Sequence, residues 1–131
     1  MKLNKRQQEK LRKRLEERRA EIESDVSYMA GEMRAIGIDQ DEENGSLGNH
    51  LADDGSNVAE AERIMTVSGD LQQILAQVNA ALERMNKDQY GACQRCGKPI
   101  GAERLEAFPY VAYCIECQSE IEREQALRAD A

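Results

Sequence analysis

The cysteines of this chain are Cys93, Cys96, Cys114 and Cys117, and all four lie in one stretch, CQRCGKPIGAERLEAFPYVAYCIEC. They form two C-x-x-C pairs with seventeen residues between them. No other feature restricts the fold so strongly. A C-x-x-C turn sets two thiols on one side of a common point, and the second pair brings two more. Four thiolates at about 2.3 Å make the tetrahedron that Zn²⁺ accepts. Gly97, directly after the first pair, frees the backbone to bend back. The other readings of four cysteines are a disulfide pair, a redox C-x-x-C and an iron–sulfur cluster. A thioredoxin-like motif needs strands and helices alternating around it, and that pattern is absent. A cluster stays open, but the knuckle CQRCGK favours zinc. One structural Zn²⁺ is therefore the expected cofactor. Four thiolates fill its coordination and leave no position for a reactive water, so binding should act as folding free energy for residues 90–120. The centre is anionic, and Arg95, Lys98 and Arg104 nearby should soften it, together with backbone N–H groups.

The rest of the chain holds little material for a large core. Of 131 residues, 33% are charged, none is Trp, one is Phe and four are Tyr. Four of those five aromatics (Tyr90, Phe108, Tyr110 and Tyr113) stand around the cysteines. A small core near the cysteines beside something long and charged fits this composition. The first residues, MKLNKRQQEKLRKRLEERR, contain no apolar run, so neither a signal peptide nor a membrane span is expected. A cytoplasmic location follows, and there paired cysteines are more often metal ligands than disulfides.

Two long segments carry helical periodicity. In residues 4–37 the apolar positions are Leu11, Leu15, Ile22, Val26, Met29, Met33 and Ile36, and from Leu15 their spacings run 7, 4, 3, 4, 3. That is a heptad-like seam, interrupted at Arg19 and stopped at Gly37. In residues 58–88, Ile64, Leu71, Val78 and Met85 recur every seven, with Ala61, Ser68, Leu75 and Leu82 on the alternate position. Ser56 or Asn57 can cap the start, Glu60 can complete the capping arrangement, and Gly91 follows the end. Each segment would make a helix of roughly 50 Å at 1.5 Å per residue. The fold class expected is mainly all-α: an antiparallel two-helix coiled-coil hairpin, each seam burying the other. Pairing of the first helix with a second copy of itself is the alternative. Residues 114–128 read as a short C-terminal helix, with Ile115, Ile121 and Leu127 available to pack on the cysteines, although Ile115 is off the spacing of the other two. The expected division is a hairpin over 1–89 and a zinc module with its helix over 90–131.

Between the long helices lies a Gly-, Asn- and Asp-rich loop near 38–57. From Asp39 to Glu62 there are eight acidic residues and no basic one. His50, the only histidine, sits in this loop, exposed and without a ligand role. No Cys–His or Ser–His–Asp arrangement can be assembled around it, which argues against an enzyme. The acidic spacing is not that of an EF-hand. Net charge is −7, unfavourable for a general nucleic-acid binder. Residues 1–19 nevertheless hold nine Lys or Arg against three Glu. These form a solvated helix face or a contact for an acidic or phosphate-bearing surface.

The stretch YGACQRCGKPIGAERLEAFPYVAYCIECQ, residues 90–118, resembles the DksA/TraR family of bacterial C4-type zinc-finger transcription regulators. Beyond the cysteines, Tyr90, Gly91, Gly97, Ile100, Arg104, Leu105, Ala107 and Pro109 carry the likeness. The helices on either side match the family architecture. The resemblance implies a factor that binds RNA polymerase without sequence-specific DNA contact. It implies a hairpin that enters the secondary channel, with acidic tip residues acting near the active site to destabilise promoter complexes. By alignment the tip aspartate is Asp53 in NHLADDG, with Asp54 beside it. His50 replaces a first acidic residue, and Gly55 stands where Ala is common. At the positions where responsive members hold ppGpp with basic residues, this chain has Gln77, Phe108 and Gln118, so weak or no synergy with that nucleotide is expected. A monomer is expected. The competing reading is a zinc-stapled coiled-coil protein of the stress response that binds another protein, and a weaker one is a nucleic-acid-binding finger using residues 1–19.

Overall fold

A computed structural model describes residues 3–37 and 55–129. Among these the chain forms four helices: α1 over Lys5–Ile36, α2 over Gly55–Asn86, α3 over Ala102–Ala107 and α4 over Ile115–Ala129. The only strand-like pairing among them is a single antiparallel bridge between Ala92 and Pro99. None of the described helices is long and apolar enough to cross a membrane.

The ends of α1 and α2 show why they stop where they do. At the start of α1 the Asn4 side chain accepts from the Gln7 N–H at 2.8 Å, while Gln7 Oε1 accepts from the Asn4 N–H at 3.0 Å. This reciprocal pair satisfies two donors that the first turn leaves orphaned. The helix ends at Gly37, whose φ of 97° is left-handed and whose N–H donates to Arg34 O at 3.0 Å. At the far end of α2 the left-handed residue is Asp88, with φ of 56°, rather than a glycine. Its N–H donates to Met85 O at 3.2 Å and that of Gln89 to Arg84 O at 2.8 Å, the paired bonds of a Schellman ending.

The start of α2 departs from the expectation. The helix begins at Gly55, so Ser56 and Asn57 fall in its first turn instead of before it. Glu60 does not fold back toward the N-terminus. It takes a two-pronged ion pair with Arg63, at 2.6 and 3.1 Å, and the guanidinium holds its carboxyl below the ordinary value. A cation one turn further on offers two charge-assisted bonds, which a backbone N–H cannot match.

The chain divides into two compact units. One comprises residues 1–19 with 76–131, the other residues 20–75. In the second unit the segments of α1 and α2 run antiparallel and bury Ile22, Ala61 and Ile64. Val26, Met29, Met33, Ile36, Leu71 and Leu75 of the predicted seam are only half-buried. In the first unit the seam is tight: Leu11 and Leu15 from α1, and Val78, Ala81, Leu82 and Met85 from α2, are buried. Arg12 Nη1 donates to Asn86 Oδ1 at 3.1 Å across the antiparallel pair. The seam partners thus lie within one chain, as an intramolecular hairpin requires. The same unit takes in α3 and α4. Leu105, the one buried residue of the six-residue α3, is 1% exposed. On α4, Cys117 points inward and Ile121 is half-buried, but Ile115 and Leu127 stay 64% and 65% exposed. The expectation that these two pack on the cysteines is therefore corrected. At 100° per residue Ile115 lies on the face opposite Cys117, and Leu127 falls well off the stripe through Cys117 and Ile121.

Two stability outcomes follow. Leu15→Ala empties a filled site and should cost about 2–5 kcal/mol in denaturant unfolding, whereas Leu127→Ala should cost under about 0.5 kcal/mol. Asp88→Gly removes a side chain from a left-handed position and should raise stability by about 0.5–1 kcal/mol, read from the same curves.

Candidate metal centre

The first pair of cysteines sits on a tight turn. Gly97 N–H donates to Cys93 O at 2.9 Å and Cys93 N–H to Lys98 O at 2.8 Å. Gly97, at φ of 78°, takes the left-handed geometry that closes the turn. The second pair is built differently. Cys114 precedes α4 and Cys117 lies in its first turn, where the Cys117 N–H approaches Cys114 Sγ at 3.5 Å. The two halves meet through Gln94 N–H, which donates to Ala112 O at 2.8 Å.

This brings all four sulfurs within 4.8 Å of one another. Cys96 Sγ and Cys114 Sγ are 3.8 Å apart. Sulfurs about 2.3 Å from one metal ion at tetrahedral angles are separated by about 3.8 Å, so the spacing fits Zn²⁺. It is far from the roughly 2.05 Å of a disulfide, and the four cysteines are free thiols. Cys93 and Cys117 are buried and Cys96 is exposed, so the centre lies at the surface of its unit. The proton affinities of the two buried sulfurs are driven in opposite directions. Burial acts to raise the Cys93 thiol, but N–H groups of Cys96, Cys114 and Arg95 outweigh it and bring the pKa down to about 6. Cys117 is pushed up, first by burial and then by bonds to the other three sulfurs. Zinc binding requires each of these thiols to give up its proton.

A set of donors fixes the chain that joins the two halves. Arg14 of α1 donates to Glu106 O. The Tyr90 hydroxyl donates to Pro109 O at 2.8 Å, and burial pushes its pKa up to about 12, so it remains a donor at every ordinary pH. Arg84 of α2 reaches Val111 O at 3.4 Å, and Arg104 of α3 donates to Tyr113 O at 3.0 Å. Sequence reading missed these ties, because their acceptors are main-chain carbonyls that every residue possesses. Of the cations expected to soften the centre, Arg95 pairs with Glu124 at 2.8 Å and Glu120 at 3.7 Å, Arg104 is taken by the Tyr113 carbonyl, and Lys98 contributes its carbonyl.

His50, Asp53 and Asp54 lie outside the described residues, and Gly55 opens α2. Gln77 is exposed on α2, Phe108 is 49% exposed beside Tyr110 in an edge-to-face contact at 6.4 Å, and Gln118 bonds Glu122 at 3.2 Å.

A helical protein with a four-sulfur site in a two-knuckle turn is a C4 zinc-finger protein. Residues 88–123 match the prokaryotic dksA/traR C4-type zinc finger, so this part of the chain is a finger of that kind. General stress protein 16O of Bacillus subtilis is 31% identical over 102 residues, which is 78% of this chain and 63% of that protein. The RNA polymerase-binding transcription factor DksA of Caulobacter vibrioides is 31% identical over 84 residues, 63% of this chain and 59% of that one. This chain thus spans less than two thirds of the length of these curated relatives. The structure of transcription factor DksA2 from Pseudomonas aeruginosa superposes with a TM-score of 0.73 at 28% identity, covering 94% of this chain and 88% of that one.

The purified chain should carry one zinc per molecule. Cys93→Ser should carry well under half of that by metal analysis, and retention by the unaltered chain should fall as pH is lowered, because each sulfur must give up its proton to bind.

Proposed function

We propose that this protein is a cytoplasmic regulator that binds RNA polymerase, places the acidic segment between α1 and α2 in the secondary channel, and destabilises promoter complexes without reading DNA sequence. In this reading residues 1–89 are the effector arm, residues 90–131 are its base, and one monomer acts on one polymerase. The observation that carries the reading is the likeness to DksA2, which extends over 94% of the chain and so includes the paired helices as well as the finger. The charge distribution supports it. Residues 20–75 hold thirteen acidic and two basic residues, while the other unit holds sixteen basic and twelve acidic ones. A strongly negative segment is repelled by nucleic acid and suited to influence a site that works with divalent cations. Asp53, with Asp54 beside it, is the residue proposed to act there. His50 and Gly55 are the tip positions proposed to set how strongly it acts.

The likeness to General stress protein 16O favours a second reading, in which the finger staples a coiled coil that binds a different protein during stress.

Core bacterial RNA polymerase should retain the chain on a column at low salt. Asp53→Asn should bind within about twofold of the unaltered chain yet lose most of its effect on open-complex lifetime in transcription in vitro. Retention without any effect of Asp53→Asn contradicts the tip mechanism. Failure to bind polymerase favours the second reading.

A further inference from the structure

Arg95 stands between the first two ligands in sequence, in the knuckle Cys93-Gln94-Arg95-Cys96. Its guanidinium is partly exposed. It reaches across to α4 and meets Glu124 at 2.8 Å and Glu120 at 3.7 Å. These glutamates are three and seven residues after Cys117, so all three side chains share one helix face. Two carboxylates one turn apart on the helix that carries a ligand of an anionic centre repel each other and the thiolates. A cation between them reverses that sign.

We propose that Arg95 is a positioning residue for the metal: paired with Glu120 and Glu124, it latches the knuckle holding Cys93 and Cys96 to the helix holding Cys117, and so sets how long the centre retains its ion. The halves of the site come from chain segments seventeen residues apart, joined across the gap by the main-chain bond from Gln94 to Ala112 and by the Cys114 N–H on the Cys93 sulfur. A zinc ion held by Cys93, Cys96, Cys114 and Cys117 would be lost more readily where the two sulfur pairs can move apart. The Arg95 pairs resist that motion, and residues beyond the ligands commonly change metal affinity by about 10–100-fold. Because the latch is 37% exposed at Arg95, its effect belongs at the lower end of that range and weakens with salt.

The latch can be told from a simpler role. If Arg95 only offset the charge of the sulfurs, removing the two glutamate charges would relieve repulsion and slow metal loss. If it latches, their removal frees the knuckle and speeds it. The experiment is transfer of zinc from the full-length, zinc-loaded chain to an excess of a chromophoric chelator at neutral pH, with circular dichroism confirming unchanged helix content. Arg95→Ala should release zinc about tenfold faster. The double variant Glu120→Gln with Glu124→Gln should be about three- to tenfold faster, and adding Arg95→Ala to it should give less than a further twofold. Release from Arg95→Ala within twofold of the unaltered chain, or slower release from the glutamine pair, overturns the proposal. Should Arg95→Ala fail to fold, the glutamine pair decides alone. The readout is metal alone and does not depend on polymerase binding.

Discussion

Everything near the C-terminal half of this protein depends on four sulfurs meeting at one point. The segment from Tyr90 to Cys117 is too short and too polar to fold on apolar burial: its only deeply buried side chains are Cys93, Leu105, Pro109 and Cys117. Two of these four are ligands. A metal ion joining the cysteine pairs supplies what a core of this size cannot, since structural zinc contributes roughly 10–16 kcal/mol to small folds of this kind.

The metal alone would leave a knot at the end of a tether. What seats it is the row of main-chain carbonyls from Glu106 to Tyr113, each claimed by a side chain from a different place: Arg14 on α1, Tyr90 just beyond α2, Arg84 on α2 and Arg104 on α3. Charged and phenolic donors on backbone acceptors give bonds that tolerate partial burial, and no side-chain N or O among the described residues is left buried without a partner. Gly91 completes the fit. Its φ of 94° favours glycine, and a methyl there would lie 3.6 Å from Leu3 and 3.9 Å from Leu105. The arrangement ties the finger to both long helices within one unit.

How much of this the sequence disclosed depends on whether the signal was periodic. The cysteine quartet has fixed spacing and read directly as a metal site. The seams of α1 and α2 read directly as well, because Leu11, Leu15, Ile22, Ile64, Val78, Leu82 and Met85 repeat at helical intervals and are buried. Features set by one or two residues were not legible. The six-residue α3 has no room for a period. Asn4 and Gln7 form their box without the usual Ser and Glu, and Asp88 adopts the geometry normally left to glycine. On α4 the hydrophobicity of Ile115 and Leu127 does not reveal the inward face, which the buried Cys117 marks instead. The proposed tip residues rest on family resemblance alone, because neither helical periodicity nor ligand spacing marks Asp53 or Asp54 in the sequence.

The dependence of the base on its metal is open to direct measurement by amide hydrogen exchange on the zinc-loaded and metal-stripped chain. The account predicts that removing zinc abolishes protection at Cys93, Gln94, Gly97, Ile100 and Leu105, whose N–H groups are bonded within the finger, while the amides of α2 around Ile64 keep theirs. Persistent protection across the finger without metal would contradict it.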